Sequence, residues 1–197
     1  MTTTRLPAIP GELARDILET AKAQGALLFG QFRLSSGQVS SYYFDGRMLT
    51  LSPKGADLVA KALLPAVRAA GAEAVGGPTL GADPMVTAIA MRSHQDGGRE
   101  LPAFIVRKES KEHGTGKIIE GHAVGDGQRV AIVDDACSTA GSLYHAIRAA
   151  EAIGCKVVLV ASIVDRHQGG SDRLRADGYV FHTILEADEQ GNIRPAG

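Results

Sequence analysis

The chain has 197 residues, 44% hydrophobic and 22% charged, enough for one globular domain, residues 1–197, with a core that needs no staples. Lys+Arg is 21 and Asp+Glu is 22, a formal net charge of -1, which argues against a constitutive nucleic-acid coat. No apolar run approaches the roughly 18 residues that span a bilayer, and Cys137 and Cys155, the 2 cysteines, are too few for a disulfide framework or a zinc knuckle.

With no apolar segment in its opening residues, the chain reads as a cytoplasmic protein of a reducing compartment, with neither nucleic acid nor membrane as a partner. Glycine is abundant, 24 of 197 residues, and punctuates the junctions between apolar segments rather than forming repeats or linkers. Periodicity predicts a helix over 12–24, with Leu13, Ile17, Leu18 and Ala21 on one face. A hairpin-like strand pair follows at 27–34 and 41–45, turning at Ser35-Ser36-Gly37. Ser52 as N-cap and Pro53 at the first helical position open a second helix to about Ala70, with a kink expected at Pro65. Strands are expected at 74–77, 103–106, 129–133, 157–164 and 179–185, and helices at 82–93 and 141–153. A long polar loop separates 106 from Gly121. Alternating strands and helices define the fold class as α/β, a mainly parallel central sheet flanked by helices.

The most informative stretch is Val130-Ala131-Ile132-Val133-Asp134-Asp135-Ala136-Cys137-Ser138-Thr139-Ala140-Gly141-Ser142. An apolar strand ends in two carboxylates, then a small hydroxyl-bearing turn, then a helix. Backbone N–H groups of 138–142, the hydroxyls of Ser138, Thr139 and Ser142, and the positive end of the helix suit a phosphate monoester. The acids suit sugar hydroxyls or a divalent cation, so a ribose 5-phosphate matches both halves. The plain alternative is that the acids only cap the next helix. A second stretch, Arg107-Lys108-Glu109-Ser110-Lys111-Glu112-His113-Gly114-Thr115-Gly116-Lys117, sets four cations and a histidine on a glycine-hinged loop. Such a loop can close and neutralise a departing polyphosphate; charge alone also fits a solvated hairpin. Cys137 reads as a small core thiol rather than a redox centre.

The first stretch resembles the 5-phosphoribosyl 1-diphosphate (PRPP) signature of type I phosphoribosyltransferases. The second resembles the catalytic loop of the orotate phosphoribosyltransferase family, and the likeness runs from about Leu27 to Leu185. It implies the type I fold with a small hood formed by about residues 1–50 and the C-terminal segment. It also implies Mg²⁺-dependent transfer of the phosphoribosyl group from PRPP to N1 of orotate, giving orotidine 5′-monophosphate. By the same resemblance Lys111, His113, Asp134 and Asp135 are catalytic. Arg107, Lys108, Lys111, His113 and the run Asp134, Asp135, Ala136, Cys137, Ser138, Thr139, Ala140, Gly141 and Ser142 bind PRPP. Ser138, Arg166, Tyr43 and Phe44 bind orotate, and Gly76–Gly81 resembles the pyrophosphate-binding turn. Lys111 and His113 would reach into the partner subunit of a homodimer that exchanges this loop. Mg²⁺ is implied as cofactor, held by ligand oxygens, with no protein metal ligands.

The sequence departs from the family at three places. Ala140 stands where many members have glycine, which is expected to tighten the phosphate space. Ser35 and Gly81 stand where one branch carries lysines. Two rivals remain open at this point: the same donor with a purine or other base, and a non-catalytic PRPP-sensing regulator that binds nucleic acid.

Overall fold

A computed structural model describes residues 6–33, 39–109 and 118–197. Helix α1 (Gly11–Ala23) buries Ile17, Leu18 and Ala21 along one stripe, as the periodicity predicts. Strands β1 (Leu27–Arg33) and β2 (Val39–Phe44) pair antiparallel as a separate two-stranded sheet; the turn at Ser35 lies outside the described residues. A short helix follows that the sequence reading did not anticipate, α2 (Gly46–Thr50), whose N-cap Asp45 accepts the Arg47 N–H at 3.1 Å. Helix α3 (Pro53–Ala69) begins as expected: the Ser52 hydroxyl accepts the Gly55 N–H at 3.0 Å and Pro53 fills the first position. It runs on as one helix through Pro65.

The main sheet has seven strands: β3 (Ala74–Pro78), β4 (Ala103–Val106), β5 (Ile119–Gly121), β6 (Arg129–Cys137), β7 (Lys156–Asp165), β8 (Phe181–Ala187) and β9 (Ile193–Pro195). Their order is β5-β4-β3-β6-β7-β8-β9. The five inner strands are parallel, and the edge strands β5 and β9 antiparallel. Helices α4 (Asp83–Gln95), α5 (Gly141–Ala152) and α6 (Gly170–Ala176) complete the chain.

Two apolar clusters cover the two faces. Ala131, Val133, Ile163 and Ile184 join α1, α3 and α4 on one side. Val130, Ile132, Val160 and Phe104 join α5 and Leu174 of α6 on the other. The alternation at 130–133 is the two-residue period of a strand buried on both faces. Each fully buried aliphatic side chain there contributes about 1.5–3 kcal/mol.

Three expectations are corrected. The polar stretch before Gly121 contains the edge strand β5, too short for a pattern to show. Strand β6 does not end at Val133: it continues through both acids to Cys137, because β7 runs beside it and pairs Asp134 with Ser162 and Cys137 with Asp165. The last strand begins at Phe181, and a further edge strand, β9, follows it.

From β3 the chain moves outward to β4, and the next parallel strand, β6, lies on the other side of β3. Strand order therefore reverses between β3 and β6. In open parallel sheets the crevice at the carboxyl ends of such a strand pair receives ligands.

Candidate active site

A cleft of about 310 Å³ opens at that crevice, bounded by Tyr43, Phe44, the Thr79–Gly81 turn, Lys108 and the acid pair. Asp134 is buried. Its Oδ1 accepts the Asp135 N–H at 2.9 Å and its Oδ2 accepts the Ser142 hydroxyl at 2.6 Å. Burial and the Asp135 charge push its carboxyl well above the usual aspartate range. Burial and the nearby Asp45 push Asp135 up too, against the pull of Arg166 and Arg47. Two desolvated carboxylates side by side need a partner that donates hydrogen bonds or positive charge.

Close approach of backbone makes this packing possible. A Cβ on Gly46 would lie 2.3 Å from the Asp135 Cβ, and one on Gly81 2.9 Å from the Asp135 carboxyl carbon. Position 81 therefore leaves no free space for a side chain against the acids, which accords with the lysine missing there. The Thr79–Leu80 peptide in this turn is cis.

The 138–142 turn follows directly. Helix α5 has no side-chain cap, so its first-turn N–H groups lack a side-chain acceptor, the condition for anion binding at a helix N-terminus. Thr139 and Gly141 are exposed and Ser138 half-buried. The Ser142 hydroxyl, counted in the sequence reading as a phosphate donor, donates to Asp134 instead. Ala140 adopts φ +61, a left-handed conformation. It is buried and packs in the apolar cluster with Leu143 and Tyr144, so the expected crowding of the phosphate space is corrected: its methyl belongs to the core. Ala136 is half-buried in β6, and Cys137 is fully buried, its carbonyl accepting the Arg166 N–H at 2.8 Å. Burial, with Asp165 and Asp134 nearby, pushes the Cys137 thiol up to about 12, an inert core thiol.

Lys108 lines the cleft, whereas Arg107 lines an adjoining cavity of about 570 Å³ that shares Thr79 and Leu80 with it. Arg107 pairs with Glu120 at 2.9 Å, and its carbonyl contacts His145 Nε2 at 2.7 Å, tying the end of β4 to α5. Lys111 and His113 lie outside the described residues. On the other flank Tyr43 is exposed on the cleft while Phe44 is buried there. Arg166 follows β7 with its guanidinium 5.4 Å from the Tyr42 ring and its Nη2 3.3 Å from the Phe44 carbonyl. Its Nε is buried without a partner among the described residues. Arg166 also borders a wider, mostly polar cavity of about 1200 Å³ with His167, Glu186 and Arg194.

The sequence reading missed Asp45, Arg47 and Tyr42. Asp45 and Arg47 form a bidentate pair at 2.8–2.9 Å on the cleft wall. Their signal was Asp-Gly-Arg before the apolar Met48 and Leu49, a helix start concealed by the shortness of α2. Among the described residues no group of three or more His, Cys, Asp and Glu side chains gathers to hold a metal. The donor set here is two carboxylates, which fits a divalent ion brought mainly on ligand oxygens.

These features define a phosphoribosyltransferase: the model of the phosphoribosyl transferase domain family matches residues 52–192. The chain is 42% identical over 156 residues to the orotate phosphoribosyltransferase of Nostoc sp., covering 79% of this chain and 75% of that one. A crystal structure of a phosphoribosyltransferase from Corynebacterium diphtheriae superposes with a TM-score of 0.77 at 34% identity, covering 92% of this chain and 99% of that one. The orotate phosphoribosyltransferase of Mycobacterium tuberculosis in complex with PRPP superposes at 0.72 with 30% identity, covering 92% and 93%. The chain belongs to the orotate phosphoribosyltransferase family of pentosyl-transferring enzymes.

Proposed function

We propose that the protein transfers the 5-phosphoribosyl group from PRPP to N1 of orotate, inverting C1 and releasing diphosphate, in pyrimidine nucleotide synthesis. The observation that carries this reading is the buried acid pair at the strand-order reversal, set directly before an uncapped helix start. The N–H groups of 138–142 and the hydroxyls of Ser138 and Thr139 receive the 5-phosphate. Asp134 and Asp135 accept hydrogen bonds from the ribose hydroxyls and, once ionised, favour positive charge on the sugar. Bond breaking at C1 leads bond making, so the work is positioning and charge stabilisation rather than covalent catalysis. Ser142 holds Asp134 in place through its 2.6 Å bond.

Tyr43, Phe44 and Ser138 border the base, and Arg166, with its unpartnered Nε, meets the orotate carboxylate. The β1–β2 hairpin, with the C-terminal turn bound to it through Ser41 Oγ and the Gln190 carbonyl at 3.1 Å, forms a hood over that pocket. Asp134 and Asp135 are the residues that would face a Mg²⁺ ion arriving with the substrate, and the ion would supply charge neutralisation. Lys108 and Arg107 bind the diphosphate, and Lys111 and His113, from the partner of a homodimer, stabilise it as it leaves. Exposed Met48 and Leu51, which line one shallow depression, support a face that a second copy covers. Two free, buried cysteines support a reducing, cytoplasmic setting.

Initial rates with PRPP and Mg²⁺ test the reading. Orotate is consumed and diphosphate released, while adenine, hypoxanthine and uracil react at least about a hundredfold more slowly in kcat/KM. Turnover of a purine at the orotate rate, or of no base at all, contradicts it.

A further inference from the structure

Behind the phosphate turn lies a segment, residues 166–170 and the start of α6, of which the proposed reaction uses only Arg166. Two backbone bonds fasten it to the turn: the Arg166 N–H to the Cys137 carbonyl at 2.8 Å, and the Gly170 N–H to the Ser138 carbonyl at 2.9 Å. The second comes with unusually close packing. A Cβ on Gly170 would lie 2.5 Å from the Ser138 oxygen, 2.6 Å from the Ala140 nitrogen and 2.8 Å from the Thr139 carbonyl carbon. All three are main-chain atoms of the turn, which cannot swing aside as a side chain does. Gly170 needs no positive φ, unlike Gly169 at +85° and Gly178 at +90°, so the demand at 170 is for space alone.

The seat itself is anchored. Ser171 and Leu174 are buried, the Arg173 guanidinium lies 4.4 Å from the centre of the Tyr144 ring on α5, and the Tyr144 hydroxyl donates to Asp177 just past α6. Helix α6 is thereby locked onto α5, the helix whose first turn completes the anion site.

We infer that Gly170 is the positioning residue of the phosphate turn: α6, locked to α5 through Tyr144, presses the side-chain-free face of Gly170 against residues 138–140 and holds their N–H groups in the anion-receiving arrangement. This rests on the reading that the turn receives the 5-phosphate. Gly170 touches no ligand; it acts through the backbone it supports.

Steady-state kinetics of the full chain separate this role from plain destabilisation. Gly170→Ala raises KM for PRPP about tenfold or more while KM for orotate stays within about twofold. Gly97→Ala, which strains φ in the connection between α4 and β4 with nothing within 4 Å of the new methyl, lowers the melting temperature and leaves both KM values unchanged. Tyr144→Phe keeps the ring under Arg173, loses the bond to Asp177 and raises KM for PRPP about threefold; it decides the matter if Gly170→Ala does not fold. Unchanged KM for PRPP in the folded variants, or equal rises for both substrates, overturns the inference. If the parent turns over no orotate, calorimetric titration of the same variants with PRPP and Mg²⁺ still tests Gly170, and only a parent that binds no PRPP removes both readings together.

Discussion

At the scale of single residues, Asp134 is the most consequential side chain. Its folded pKa is raised by burial and by Asp135, so above the ordinary aspartate value of 3.8 the folded state holds a proton that the unfolded chain has released. The stability this contributes is present at low pH and is lost as pH rises from about 4 through the raised value. Asp134→Asn removes that dependence while its amide can still accept from Asp135 and reach Ser142. The variant is expected to gain stability over the parent as pH rises toward 8, by on the order of 1–2 kcal/mol in chemical denaturation. Its turnover is expected to fall about a hundredfold or more, because the charge that favours a positive sugar is gone. A variant that parallels the parent across pH would show that Asp134 is not held protonated. Ala140 gives a second test. Left-handed φ costs a non-glycine residue about 1–2 kcal/mol, and burying one methyl returns roughly 0.8 kcal/mol. Strain wins, so Ala140→Gly raises the melting temperature slightly and leaves PRPP affinity unaltered, since the methyl faces the core. A gain in affinity would restore the crowding that the sequence reading expected.

At the scale of elements, long periodic segments were legible, as were the short strands β3 and β4, whereas the other short elements were not. The stripe of α1, the Ser52-Pro53 start of α3 and the apolar runs of β6 and β7 each carry enough residues for a period to emerge. Helix α2, helix α6 and the edge strands β5 and β9 hold three to seven residues, and packing rather than pattern determines them. Strand β6 outran its apolar stretch for the same reason: pairing with β7 carries the backbone through two acids whose composition suggests an end. The acid pair and Lys108, which the structure brings to one cleft, stood out in the sequence because their chemistry is concentrated in short runs, as did the 138–142 turn and Arg166, to which the proposal gives roles. Asp45, Arg47 and Tyr42 come to the site only by folding of the hairpin and α2 over it, which no local spacing reveals. The role proposed for the 107–117 loop is tested at this scale. Lys111→Ala is expected still to bind PRPP in calorimetry yet lower kcat by about a hundredfold or more; an unchanged kcat removes the loop from the mechanism.

At the scale of the whole molecule, the sheet order underlies the proposal that one cleft serves a phosphate, a sugar and a base. The reversal between β3 and β6 opens the crevice, the parallel strands bring their carboxyl ends to it, and each following turn contributes one part. The turn after β3 faces the acids, the turn after β6 offers uncapped N–H groups, and Arg166 follows β7 directly. The hairpin closes the remaining side. This arrangement assigns each part of PRPP a definite location, and a crystal structure of the protein with PRPP and Mg²⁺ tests it most directly. The 5-phosphate is expected within hydrogen-bond distance of the N–H groups of 138–142, with the ribose hydroxyls on Asp134 and Asp135. A phosphate seated instead in the wider cavity beside Arg166 and Arg194, with the acid pair free of the sugar, would contradict it.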